Sequence, residues 1–122
     1  DAGPTVNTIR GVLLDLDGVF YVGDEAIAGA ADALAALRSA GLRTLLLTNT
    51  TSRPRAALVE KLAAFGIAVE ADDLLTPAVA AGAWIRARGA GPAATFFAER
   101  TTVDLGAVER LAPDAETGAG AV

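Results

Sequence analysis

Two runs of consecutive apolar residues, each ending abruptly in polar ones, constrain this chain most. Val12, Leu13 and Leu14 lead into Asp15, and Leu45, Leu46 and Leu47 lead into Thr48 and Asn49. A strand with one wet face alternates apolar and polar residues, because successive side chains point to opposite faces. A run without alternation fits a strand covered on both faces, as in a parallel sheet. Parallel neighbours need a crossover long enough to hold a helix. The intervening sequence supplies one: Ala30 to Ala40 sets Ala33, Leu34 and Leu37 on one face and stops at Gly41, a residue suited to the left-handed position after a helix.

The pattern continues downstream. A second helix is expected to start near Ser52 as its N-cap, with Pro54 in the first turn, an apolar stripe of Leu58, Leu62 and Phe65, and an end at Gly66. A third is expected after Thr76, with Pro77 at its first position, running to about Arg88. Trp84 is expected in its core, since aromatic residues at helical spacing usually pack. Ala93 to Ala98 reads as a short strand after the Gly89-Ala90-Gly91-Pro92 turn. Residues 1–8 read as a polar tail, and Gly118 to Val122 as the entry to a further strand, so the chain is expected to continue. Strand–helix alternation predicts an α/β fold, a parallel sheet with helices on both faces and right-handed crossovers.

Composition narrows the chemistry. There is no Cys and no His, which removes thiol nucleophiles, imidazole bases and Cys/His zinc sites from this stretch. The formal charge is −5 and the basic residues are scattered, so no nucleic-acid partner is expected. Hydrophobic residues make up 52%, enough to exclude a disordered chain. No apolar run approaches the roughly 20 residues that span a bilayer, so no membrane partner is expected either.

The chemistry must then come from carboxylates, hydroxyls, amides and backbone. Asp15 and Asp17 sit two apart at the C-terminal end of the first strand, followed by Gly18. Ligands of open α/β sheets bind outside the carboxyl ends of strands. Residues two apart in extended chain point to the same side, and two close anions repel unless a cation or proton intervenes. A hard, oxygen-ligated Mg²⁺ would resolve that repulsion and screen an incoming phosphate. Taken alone, the same residues also fit a solvated turn. Thr48 and Asn49, at the end of the second strand, can donate to phosphoryl oxygens, and alone they also fit an ordinary turn and cap cluster.

Together, Asp15-Leu16-Asp17-Gly18-Val19 after one apolar strand and Thr48-Asn49 after the next resemble the first two motifs of the haloacid dehalogenase-like (HAD) superfamily. The stretch from Phe20 to Asp24, then Ala28-Gly29-Ala30, resembles the class IIA branch with a C2-type cap, which includes NagD-like and nitrophenyl phosphatase-like enzymes. Leu47-Thr48-Asn49-Thr50-Thr51 is most similar to the subgroup of the phospholysine phosphohistidine inorganic pyrophosphate phosphatase. The likeness runs through Phe65-Gly66-Ile67 and Leu74-Leu75-Thr76-Pro77 and fades beyond Arg100.

This resemblance implies a HAD-type Rossmannoid core over residues 1–76 and the beginning of an inserted, incomplete α/β cap over 77–122. It implies a Mg²⁺-dependent phosphatase that hydrolyses small phosphate esters or phosphoramidates through an aspartyl-phosphate. Asp15 would be the nucleophile and a metal ligand. Asp17 would be the general acid–base, with its backbone carbonyl a second metal ligand. Leu16 and Asp17 amides, Thr48 and Asn49 would hold the phosphoryl group, and Gly18 would allow the tight turn. Phe20 to Asp24 would form a flap. A small phosphorylated substrate, a cytoplasmic location and a homodimer through the cap are the corresponding expectations.

The family's third-motif Lys or Arg and fourth-motif acid are not visible. Lys61 comes too early in the chain, and Asp72 and Asp73 read as a helix–strand junction. The 122 residues alone are therefore not expected to form a competent phosphatase. Two other classes stay open at this stage: a phospho-accepting receiver-like signalling domain, and a non-catalytic HAD-like binding module.

Overall fold

The computed structural model describes residues 9–122, so the tail expected over residues 1–8 lies outside the described residues. The chain divides into two compact units, one of Asp1–Thr48 with Val59–Leu75 and one of Asn49–Leu58 with Thr76–Val122.

The first unit is built on a parallel sheet of β1 (Gly11–Asp15), β4 (Arg43–Leu47) and β5 (Leu74–Leu75), in the order β1-β4-β5. β2 (Tyr21–Val22) and β3 (Glu25–Ala26) form a separate antiparallel hairpin. β1 and β4 pair in parallel from Gly11 opposite Arg43 to Asp15 opposite Leu47. Between them runs α1 (Ala30–Ser39), closed by Gly41 at φ 79°. The expected α/β class, parallel sheet and first crossover are all present. The core of this unit gathers Leu16, Phe20, Tyr21, Leu34, Leu46, Leu62, Ile67 and Leu74.

One expectation for β1 is not met. Its apolar run does not lie between two covered faces: Gly11, Leu13 and Asp15 are exposed while Val12 and Leu14 are partly buried, and Leu13 is 66% exposed. The described residues leave the Leu13 side of the strand open. An open groove of about 650 Å³ runs there, lined by Arg10 to Leu13, Arg43 to Leu45 and Asp72–Asp73 among others, and Asp15 is not part of it.

The helix α2 (Arg55–Ala64) contributes residues to both units and ends at Gly66, φ 77°. It starts three residues later than the N-cap expected at Ser52. In the second unit α3 (Pro77–Arg88) begins and ends as expected. The Thr76 hydroxyl accepts from the Val79 amide at 3.3 Å, Pro77 opens the first turn, and Gly89 follows in the left-handed conformation. α3 packs on a 3-10 segment, Glu99–Leu105, around buried Ala78, Gly82, Thr101 and Leu105. Trp84 is not core: it is 49% exposed and lies under the Arg88 guanidinium, 4.5 Å from the ring centroid. Small residues fill the buried side of this helix instead, which leaves the indole outside. The strand expected at Ala93–Ala98 does not form either. Only Ala93 bridges, to Arg110 and to Ala121, and the residues after it make no ladder.

No helix among the described residues is long and apolar enough to cross a membrane.

Candidate active site

The first segment of the site is the sharp exit from β1. Leu16 is fully buried, whereas Asp15 before it and Asp17 after it are exposed. The buried side chain pins the backbone so that both carboxylates stay at the surface. The Leu16 amide donates to the Leu47 carbonyl at 3.0 Å, and also lies 2.8 Å from Asp15 Oδ1. The Leu16 carbonyl accepts from the amides of Val19, 3.2 Å, and Phe20, 2.9 Å, which closes a tight turn. That turn needs a left-handed residue, and Gly18 supplies it at φ 78°. The Gly18 amide then donates to the Tyr21 carbonyl at 2.8 Å, and Asp17 bridges Tyr21. The amides of Leu16 and Gly18 are thus already engaged, the first by β4 and the second within the loop.

Tyr21 to Asp24, most of the stretch expected as a flap, lies in the β2–β3 hairpin. Tyr21 pairs with Ala26 and Val22 with Glu25, and Gly23 at φ 59° makes the turn with Asp24. The Tyr21 ring lies against Phe65, centroids 5.8 Å apart. Lys61 Nζ donates to the Gly23 carbonyl at 2.7 Å.

Thr48 follows β4, the parallel neighbour of β1, so it leaves the sheet at the same end as Asp15. Its amide continues the ladder to the Leu75 carbonyl at 3.2 Å, and the residue is partly buried. Asn49 is exposed and falls in the second unit. Within that unit the next residues are held from a distance. Thr101 Oγ1 donates to the Thr51 carbonyl at 2.9 Å, and Arg100 Nε to the Ser52 carbonyl at 2.6 Å. The Asp104 carboxylate accepts from the Arg55 amide at 2.7 Å and from Arg55 Nε at 3.2 Å. A carboxylate at a helix N-terminus satisfies a free amide and is attracted by the positive end of the dipole. Asp104 takes the capping role expected of Ser52. The same 3-10 segment carries a surface pair, Glu99 with Arg110 at 2.9 Å, whose hydrogen bond and charge hold the Glu99 carboxyl below its usual range.

Asp73 accepts from the Glu70 amide at 2.9 Å and from Arg38 at 3.1 Å, as befits a junction. Among the described residues no group of three or more His, Cys, Asp or Glu side chains is placed to hold a metal ion. The Asp15 carboxylate and the Asp17 carbonyl suit a hard cation in kind, as oxygen donors, but they are two ligands where about six oxygens are wanted.

The haloacid dehalogenase-like hydrolase family matches residues 12–105, a span that holds Asp15, Asp17, Thr48 and Asn49. The chain belongs to this family. Among relatives of this HAD-like chain is the phospholysine phosphohistidine inorganic pyrophosphate phosphatase of Bos taurus, 38% identical over 94 residues, covering 74% of this chain and 35% of that protein. Among solved structures, NagD from the E. coli K-12 strain superposes with a TM-score of 0.71 at 32% identity, covering 80% of this chain and 39% of that one. A glycerol phosphate phosphatase from Mycobacterium tuberculosis, in complex with magnesium, gives 0.70 at 25% identity, covering 84% and 32%. The HAD-like chain spans about a third of the length of the curated relatives it matches. Membership in a hydrolase family with this fold displaces the receiver-like reading.

Sequence reasoning missed Arg100, Thr101 and Asp104 in this HAD-like chain, and it set Lys61 aside without its contact to the hairpin. Each acts on a partner at least 37 residues away, so no local pattern marks it.

Proposed function

We propose that these residues supply the nucleophile and acid–base of a magnesium-dependent phosphatase that hydrolyses small phosphate esters or phosphoramidates through an aspartyl-phosphate. The observation that carries this reading is the pair of exposed carboxylates about buried Leu16, at the sheet end where Thr48 also emerges. In this mechanism an Asp15 oxygen attacks phosphorus and the bond from phosphorus to the leaving oxygen or nitrogen breaks. Asp17 gives its proton to the leaving atom. The Asp17 carboxylate then takes a proton from water, the water oxygen attacks phosphorus, and the acyl-phosphate bond breaks to return Asp15 and release phosphate. Thr48 and Asn49 donate to the phosphoryl oxygens. The engaged amides of Leu16 and Gly18 make their contribution through the shape of the loop, with the Asp17 amide as a further donor.

Mg²⁺, when bound, would be held by the Asp15 carboxylate and the Asp17 carbonyl and would screen the charge between carboxylate and phosphate. A third protein ligand and a balancing base would come from outside the described residues, so the activity is that of the full-length protein. In the same reading 1–76 belong to the HAD core and 77–122 begin the cap. A cytoplasmic location and a homodimer through the cap belong to this proposal as well. The −5 formal charge with scattered bases supports a small-molecule substrate over nucleic acid.

Asp15→Asn in the full-length protein tests the covalent route. A carboxamide is a poor nucleophile, so phosphate release from nitrophenyl phosphate should fall to background while the fold is kept. Near-normal turnover would refute the mechanism.

A further inference from the structure

Lys61 is the only lysine of the chain, and the chemistry assigned so far does not use it. On a helix surface a lysine normally carries its ammonium into water. Here the side chain lies along the protein and is only 15% exposed. Its Nζ donates to the Gly23 carbonyl at 2.7 Å and sits 4.2 Å from the centroid of the Tyr21 ring. The Asp24 carboxylate is 3.5 Å away but 95% exposed, so that ion pair contributes little. The carbonyl and the ring carry the contact, since both gain strength when the cation is partly desolvated.

Both groups belong to the hairpin that follows Asp17. Tyr21 is buried, its carbonyl accepts the Gly18 amide at 2.8 Å, and it forms the bridge with Asp17. One residue, Tyr21, thus separates the ammonium from the backbone that carries Asp17. We propose that Lys61 is a positioning residue for Asp17: by clamping Gly23 and Tyr21 it fixes the hairpin, and so aims the Asp17 carboxyl at the leaving atom. The inference rests on the reading of Asp17 as the general acid.

Leaving-group dependence separates positioning from general stability. Nitrophenolate departs without a proton, whereas an alkoxide needs one. The ratio of kcat/KM for nitrophenyl phosphate to that for glycerol phosphate does not depend on how much of the sample is folded. In the full-length protein, Lys61→Met should lower kcat/KM on glycerol phosphate about tenfold more than on nitrophenyl phosphate. Lys61→Gln, which keeps a donor but loses the cation, should show the same bias in smaller measure, and it serves if the Met variant does not fold. Lys61→Arg keeps a cation and a donor and should hold the ratio near wild type. Equal losses on both substrates, no loss, or an Arg variant as biased as the Met variant would overturn the proposal. Asp17→Asn is the control. If it shows the bias and Lys61→Met does not, only the Lys61 inference fails. If Asp17→Asn shows none, the general-acid reading itself falls.

Discussion

Burial decides which residues hold the site and which merely sit near it. Leu16, fully buried between two exposed aspartates, anchors the loop through packing, and its neighbours stay at the surface. Asp104 works the other way, as a charged group that is itself buried. Its carboxylate side chain is 7% exposed and accepts from both the Arg55 amide and the Arg55 guanidinium. Asp24, by contrast, faces water at 95% exposure. The two acids should therefore respond differently to the same change. Asp104→Ala removes a cap and a charged hydrogen bond, and should lower stability by about 1–2 kcal/mol. Asp24→Ala should stay within about 0.5 kcal/mol. Urea unfolding of the two variants measures both, and equal effects would show that the Asp104 cap is ornamental.

At the scale of elements, α3 shows how much local sequence can specify and where it stops. Thr76, Pro77 and Gly89 mark its ends, and each signal acts within one turn. The same holds for Gly41 after α1 and for Gly66 after α2. Asp15, Asp17 and Thr48 were legible too, because parallel pairing of two apolar runs brings their ends together. What was not legible depends on distant partners. Ser52 looks like a cap, but Asp104 does the capping, and the Ala93–Ala98 run makes no ladder beyond the bridges of Ala93 to Arg110 and Ala121. Gly82 is the clearest case. A glycine inside a helix costs about 1 kcal/mol against alanine, so sequence alone would favour replacement. In the structure a Cβ at Gly82 would run into the Leu105 carbonyl oxygen, to which the Arg86 guanidinium also donates. Gly82→Ala should therefore destabilise by about 1–3 kcal/mol despite the better helix propensity. Thermal unfolding with an unchanged or raised midpoint would contradict the close approach of α3 to the 3-10 segment.

At the scale of the whole molecule, the open side of β1 is the feature that most needs an explanation. Parallel sheets are normally covered on both faces, and the run Val12-Leu13-Leu14 is written for that environment. Leu13 is nevertheless 66% exposed. The chain spans about a third of the length of its curated relatives, and in a full-length protein of that size this face is expected to be covered. The full-length protein should bury Leu13, and the 122 residues by themselves should not. Leu13→Ser distinguishes the two states. In the 122-residue chain the side chain is already largely in water, and the substitution should change stability by no more than about 0.5 kcal/mol. In the full-length protein the same change should cost about 2–4 kcal/mol, the range for truncating a buried leucine and leaving a cavity. It should also lessen self-association of the short chain, because an exposed apolar sheet face invites it. Urea unfolding of the variant in both lengths gives the comparison. A cost as small in the full-length protein as in the short chain would mean that this face stays open in the complete fold.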